Sequence, residues 1–322
     1  MSTPSLSPLR RKRAVILPDL YVDALAFLPP WATASRRLGA IAGRGGGNLP
    51  VPPIEFKLGG NAANLAVALA HLGAQVDLVA QTDELGNSLL QRAAAGTRLR
   101  TDGVRVGSKG SASLALEFGR SNVMLSHAGP LQEFGPGQLT KQDWQRIESA
   151  DLVAVVNWAQ NQRGTALLRA LSARLDACGI FLYVDPGDVR HRGPDVAALR
   201  RDKSAWKGVG SMGMNDNELD AFTGGSTLQD AQGLAEELGI RIDLHNRKWA
   251  ASVTGQTAVK VPAGRAPARR LTGAGDAWNA GNVAGYLLDL GDRERLALAH
   301  RVATSYVTGP AAVATTAMEV AR

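Results

Sequence analysis

The 322-residue sequence predicts an α/β fold, a mainly parallel sheet with helices on both faces. Three observations predict it. Short apolar runs of strand length alternate with runs of helical period along most of the chain. Glycines gather where strands give way to helices. The composition, 45% hydrophobic and 20% charged, is that of a globular chain long enough for a substantial core.

The elements follow in order. Residues 1–13 read as a disordered basic tail, Ser/Pro-rich and ending in Arg10, Arg11, Lys12 and Arg13. Residues 14–17 read as a buried strand. Residues 36–53, rich in glycine and proline, read as a flexible loop. Ala62, Leu65, Ala66, Leu69 and Leu72 follow a helical period over 61–72. A strand at 76–80 and a helix at 84–95 come next. The texture changes at 104–125, where two short strands flank Gly119-Arg120-Ser121; this β-rich insert is a candidate lid or sheet edge. Further strands are expected at 152–156, 180–184, 209–214, 240–244, 250–253 and 257–261. Helices are expected at 163–177, 216–223, 228–238, 275–290 and 292–307. There is no internal repeat.

Composition excludes several classes. The formal charge is +7, but the run at 10–13 supplies four of those charges. No basic stripe interleaves with aromatics, so no nucleic-acid partner is expected. Cys178 is the only cysteine, which rules out an intrachain disulfide and a cysteine metal site. No stretch approaches the roughly 20 apolar residues of a membrane span, and the N-terminus makes a poor signal peptide. A cytoplasmic protein is the simplest expectation.

Two glycine turns carry chemistry. Thr272-Gly273-Ala274-Gly275-Asp276 opens a predicted helix. Glycines there let backbone N–H groups converge on an anion, and the helix dipole adds favourable potential. Asp276, in the first turn, is either a plain helix cap or the proton acceptor for a hydroxyl attacking a phosphoryl group. Leu58-Gly59-Gly60-Asn61-Ala62-Ala63-Asn64 is a second such turn, with Asn64 one helical turn in. Asp19 and Asp23 follow the first strand, placed to accept hydrogen bonds from substrate hydroxyls or to sit in a solvated turn. Asn215-Asp216-Asn217-Glu218 offers oxygen ligands to Mg²⁺ through water, or forms a capping box. Gly208-Val209-Gly210-Ser211-Met212-Gly213 matches a dinucleotide fingerprint, but its glycines overlap the strand they should follow. No P-loop motif occurs. None of the five histidines pairs at metal-ligand spacing.

Together these segments, from about residue 14 to 311, resemble the ribokinase-like, or PfkB, family of carbohydrate kinases. Thr272 to Gly281 is very similar to the family's C-terminal signature, and Leu58 to Gly73 to its glycine-pair signature. The resemblance implies a three-layer αβα sandwich over 14–322 with a mainly parallel central sheet and a small β-lid. The lid elements would be about 21–58 and 104–126, and such lids often form a homodimer interface. It implies transfer of the γ-phosphoryl group of ATP to a hydroxyl of a sugar, sugar derivative or nucleoside, with Mg²⁺. By position, Asp276 would be the base, with Gly273, Ala274 and Gly275 forming the anion hole. Asp23, Gly59, Gly60, Asn64 and Tyr21 would meet the acceptor. Asn215, Glu218, Asn246 and Thr272 would serve nucleotide and phosphates, Glu218 holding the metal through water, with Asp185 near the phosphates.

Two departures stand out. Arg270 and Leu271 occupy the usual Asp-Thr position before the C-terminal signature, which puts a monovalent-cation site in question. Leu244-His245-Asn246-Arg247-Lys248-Trp249-Ala250 replaces the glycine-bearing nucleotide loop, with Asn246 and Trp249 where glycines would stand. There Trp249 is a candidate to pack under an adenine, and Arg247 and Lys248 to contact phosphates. Arg105 and Arg120 are candidate lid cations for a phosphorylated acceptor. The altered loop sustains an alternative, a catalytically weak metabolite-binding or regulatory protein on the same scaffold. A dehydrogenase rests only on the 208–213 glycines.

Overall fold

The computed structural model describes residues 4–119, 121–264 and 272–309. Arg120, Arg270 and Leu271 lie outside them. The chain begins with a 3₁₀ turn, Ser7–Arg11, and then runs β1 (Arg13–Leu17), β2 (Tyr21–Phe27), α1 (Trp31–Gly43), β3 (Glu55–Gly59), α2 (Asn61–His71), β4 (Gln75–Thr82), α3 (Glu84–Ala94) and β5 (Leu99–Val106). It continues through β6 (Ser111–Glu117), β7 (Asn122–His127), α4 (Lys141–Glu148), β8 (Leu152–Val156), α5 (Gly164–Cys178), β9 (Phe181–Asp185), α6 (Gly193–Arg201) and α7 (Lys203–Trp206). The last part is β10 (Val209–Asn215), α8 (Asp216–Thr223), α9 (Leu228–Leu238), β11 (Arg241–His245), β12 (Trp249–Val253), β13 (Ala258–Pro262), α10 (Ala274–Leu287) and α11 (Asp292–Thr308).

Nine strands form the main sheet in the order β13-β12-β11-β10-β9-β8-β1-β4-β5. Every pair from β5 to β11 is parallel, and β12 and β13 close the far edge as antiparallel strands. The central strands β1, β8 and β9 are buried on both faces, as their unbroken apolar runs require, while the edge strands β5 and β13 are partly exposed. In β1, Ala14 and Ile16 join a core with α2, α10 and α11, while Val15 and Leu17 join one with α5, α6, α8 and α9. Side chains alternating across a strand thus create three layers from one sequence run.

The chain fills the sheet outward from β1 in one direction, through β4 and β5, and then in the other, from β8. This reversal opens a crevice at the carboxyl ends of β1 and β8, where ligands bind in open α/β sheets. Over that end lies a second sheet, β3-β2-β6-β7. Its β2 and β6 run parallel, with Tyr21 opposite Ser111 and Asp23 opposite Ser113.

Two expectations need correction. The N-terminal segment from residue 4 is not a free tail: Leu6 and Leu9 are buried in the α2 core, Arg13 Nε donates to buried Asp77 at 3.0 Å, and Lys12 lies 3.8 Å from Asp151. Apolar anchors before and within the turn outweigh the solvation of its arginines. The loop expected over 36–53 is helical to Gly43. Only Ala34 of α1 is buried, so burial left almost no period to read. No helix among the described residues is long and apolar enough to cross a membrane.

Candidate active site

Asp276 lies in the first turn of α10, above the carboxyl ends of the parallel strands. Gly273 is the N-cap with φ +83°, a left-handed conformation in which an added β-carbon would also strike the Tyr306 hydroxyl. This turn aims the first N–H groups of α10 out of the helix, where they have no intrahelical acceptor. Gly275 keeps the approach open, for among the described residues a β-carbon there would have only His245 Nε2, 3.9 Å away, within contact range. The Asp276 carboxylate is buried and accepts a hydrogen bond from Asn64 Nδ2 at 2.9 Å. The two glycine motifs, 212 residues apart, therefore meet in one hydrogen bond.

Burial pushes the Asp276 carboxyl well above the ordinary carboxylate range, and Asp185, Asp19 and Asp23 push it the same way by charge repulsion. The Asn64 bond offsets part of this. Asp23 is also raised by burial, although the Ser113 hydroxyl on β6 donates to it. Its carboxylate occupies the space beside Gly59 where a side chain would be. Gly60, at φ +91°, lies against the backbone of Leu20 and Tyr21. Tyr21 packs here with its hydroxyl buried and without a hydrogen-bond partner, and burial raises its pKa. Among the described residues nothing satisfies this buried hydroxyl, which lies near the carboxylates of Asp19 and Asp23.

Gly59→Ala should therefore displace Asp23. If Asp23 holds the acceptor, as its position in the family resemblance implies, losing a charge-assisted hydrogen bond of about 1.5–3 kcal/mol corresponds to a roughly tenfold or larger rise in acceptor KM. The nucleotide KM should stay unchanged in the same steady-state titrations.

Asp19, a candidate hydroxyl acceptor by sequence, is already committed. It accepts from the N–H groups of Asn61 and Ala62, both at 2.8 Å, and from Asn157 Nδ2 at 2.9 Å. It thus caps α2, with burial raising its pKa to about 6. Asn157, at φ 57° just after β8, joins the two strands of the crevice through this bond. No motif marked it, because an asparagine following a strand is unremarkable until the fold brings Asp19 to it.

On the other flank, Asp185 ends β9 and accepts from Gly187 N at 2.7 Å and from Asn279 Nδ2. Tyr183 donates in turn to Asn279 Oδ1 at 2.6 Å. Burial raises Asp185 to about 6. Asn215 and Glu218 form a full capping box on α8: Glu218 accepts from Asn215 N at 2.8 Å and Nδ2 at 2.7 Å. Burial, then the charge of Asp185, drives the Glu218 carboxyl well above its ordinary range. Two crowded carboxylates of this kind suit a nearby cation, which would relieve both. No group of three or more metal-ligating side chains gathers among the described residues, so a Mg²⁺ ion would rest on water and phosphate oxygens as well.

Several expected nucleotide contacts are otherwise occupied. Thr272 faces the small sheet, its hydroxyl donating to Glu117 at 3.2 Å and accepting from Asn122 at 3.0 Å. Asn246 closes its own turn, accepting from Lys248 N and Trp249 N, and donates to Asp216 at 3.0 Å. Trp249 carries Lys260 Nζ 4.2 Å above its ring. Arg105 pairs with Asp143 at 2.8 Å rather than standing free over the crevice.

Comparison with known proteins gives the family and the fold. Residues 33–317 match the family model described as pfkB family carbohydrate kinase. A ketohexokinase of Haloferax volcanii is 29% identical over 222 residues, a match spanning 60% of this chain and only 57% of that relative. Among solved structures, an Arabidopsis thaliana ribokinase complexed with ribose and ATP superposes with a TM-score of 0.74 at 17% identity, covering 97% of this chain and 98% of that one. An adenosine kinase from Sinorhizobium meliloti gives 0.75 at 19% identity, covering 95% and 98%. At such identities the structures speak for the fold, and the family match, which spans most of the sequence, speaks for descent. The chain belongs to the pfkB family of carbohydrate kinases.

Proposed function

We propose that this protein transfers the γ-phosphoryl group of ATP to a hydroxyl of a sugar, sugar derivative or nucleoside, with Asp276 as the base. One observation carries the reading: a buried carboxylate of raised proton affinity stands directly behind the Gly273-Ala274-Gly275 turn and is held from the glycine-pair helix by Asn64. The acceptor hydroxyl gives its proton to Asp276 as its oxygen bonds to the γ-phosphorus. The bond from that phosphorus to the bridging oxygen breaks, and ADP leaves with the electron pair. The amides of residues 273–275 and the α10 dipole stabilise charge on the transferring group. Asp23 and Tyr21 orient the acceptor. Mg²⁺, held through water beside Glu218 and Asp185, would neutralise phosphate charge.

The names of the similar proteins, a ketohexokinase, a ribokinase and an adenosine kinase, bracket the acceptor class without choosing within it. A turnover screen with ATP and Mg²⁺ over sugars and nucleosides tests the reading, and at least one acceptor should show activity that depends on Asp276. The closed Asn246 turn favours a second reading, a metabolite-binding or regulatory protein with transfer lost. Acceptor binding by calorimetry with no turnover for any acceptor would select it.

We also propose a homodimer through the small sheet. Every residue of β7 is exposed, including Val123, Met124 and Leu125, and the strand is an edge with one side unpaired. Light scattering should give twice the chain mass. Leu125→Glu with Val123→Lys should give monomers of unchanged thermal stability.

A further inference from the structure

His245 ends β11 in register with Asn215, the residue that caps α8. Its ring stacks on Trp278 of α10, with centroids 4.3 Å apart and planes at 12°. Trp278 is itself buried, so the imidazole is fixed in place by a rigid partner. Nδ1 is buried with no hydrogen-bond partner. Nε2 is on the other edge of the ring and, among the described residues, is the one heavy atom beyond Gly275's own neighbours within 4 Å of where a β-carbon on Gly275 would lie, at 3.9 Å.

The two edges of the ring settle its chemistry. Burial, and then the neighbouring His300, push the imidazole down to about 4, although Asp243 acts in the opposite sense. The ring is therefore neutral at physiological pH and carries a single proton. A buried N–H without an acceptor is rarer and costlier than a buried lone pair without a donor, so the proton belongs on Nε2. An N–H donor then faces the Gly275 side of the turn.

The direction matters. Asp276 is held on the acceptor side by Asn64, near Asp23. His245 approaches the adjoining residue, Gly275, from the strand end paired with Asn215, the cap of α8. In-line transfer puts the acceptor and the nucleotide on opposite sides of the moving group. We propose that His245 is a phosphate-contacting residue, its Nε2–H joining the amides of residues 273–275 as a neutral hydrogen-bond donor to the transferring phosphoryl group. This rests on the phosphotransferase reading above. It also gives the altered 244–250 segment a role: a rigid side-chain donor stands where the family usually has a glycine-bearing loop.

The test uses the full-length protein and three measurements: affinity for ADP and for a non-hydrolysable ATP analogue with its γ-phosphate, each with Mg²⁺, and kcat/KM for ATP. His245→Phe keeps a ring to stack on Trp278 and removes the donor. It should weaken the analogue about tenfold, leave ADP affinity unchanged, and lower kcat/KM by 10- to 100-fold. His245→Gln gives up the stack but keeps an N–H, and it should retain more activity than the phenylalanine variant. A purely structural histidine predicts the reverse ranking and an equal effect on both nucleotides, and either result overturns the proposal. If His245→Phe is unchanged in all three measurements while Asp276→Asn abolishes turnover, the proposal falls and the parent reading stands. If the unmodified protein binds neither nucleotide, both fall.

Discussion

Asp276→Asn is expected to lower turnover by about 10²- to 10⁴-fold, the usual worth of a positioned general base, while making the protein no less stable at neutral pH. The two halves of this expectation share one cause. Burial, reinforced by Asp185, Asp19 and Asp23, raises the Asp276 carboxyl well above its ordinary range. That brings its proton affinity nearer to what an alcohol proton needs at working pH. It also makes the ionised form a burden on the fold. An unfolded chain releases this proton near pH 3.9, whereas the native state holds it more tightly. The native state thus binds more protons than the unfolded one above that pH, and the stability the protonated form supplies is lost as pH rises toward the raised value. An asparagine has no such loss and still presents an oxygen to Asn64. Melting temperatures of the two proteins should therefore coincide at or below about pH 4 and separate in favour of the variant as pH rises. A variant that loses activity and is destabilised equally at every pH would mark Asp276 as a structural cap instead.

How much of this the sequence made legible depends on the range of the forces involved. The alternation of strands and helices is local, and so is the glycine turn before α10; both could be read from neighbouring residues. The positions of α2, α10 and β11 followed their apolar periods closely. The small sheet was harder, since burial does not alternate along β2, where Tyr21, Val22 and Ala26 are buried, and β3 buries only Gly59. Helix α1 was hidden because it buries little beyond Ala34. At the site, motif position suggested Thr272 and Asn246 as phosphate contacts, yet Thr272 bonds to Glu117 across 155 residues, and Asn246 bonds within its own turn and to Asp216. Asp19 and Asn157, like Thr272, are joined to distant partners by the fold. Their bond spans 138 residues and exists only because β1 and β8 lie side by side. Residue types were readable; commitments between distant side chains were not.

The second large effect lies beneath the site. Arg295→Met should destabilise the protein by about 3–5 kcal/mol, the cost of leaving a buried charge without its partner. Arg295 on α11 and Asp243 on β11 are both fully buried and meet through two bonds, at 3.0 and 3.1 Å. Asp243 also accepts from Ser211 Oγ at 2.7 Å, Asn282 Nδ2 at 2.9 Å and the Tyr286 hydroxyl at 2.6 Å. Arg295 reaches on to Ser252 and Asp292. Burial alone would raise the Asp243 carboxyl, but Arg295 and these donors reverse that and leave it below its ordinary range. The sign is thus opposite to that of Asp276: this stabilisation is complete above about pH 4 and is lost as pH falls through the depressed value. Because removing one partner strands the other, replacing both together, Asp243→Leu with Arg295→Met, should cost less than either single change. Asn282 and Tyr286 belong to α10, the helix whose first turn carries Asp276, and Asp243 lies two residues before His245. The network therefore mounts the anion turn on the sheet. Arg295→Met should lose stability and activity together, where Asp276→Asn loses activity alone, and an unchanged urea midpoint in the arginine variant would show that the mount lies elsewhere.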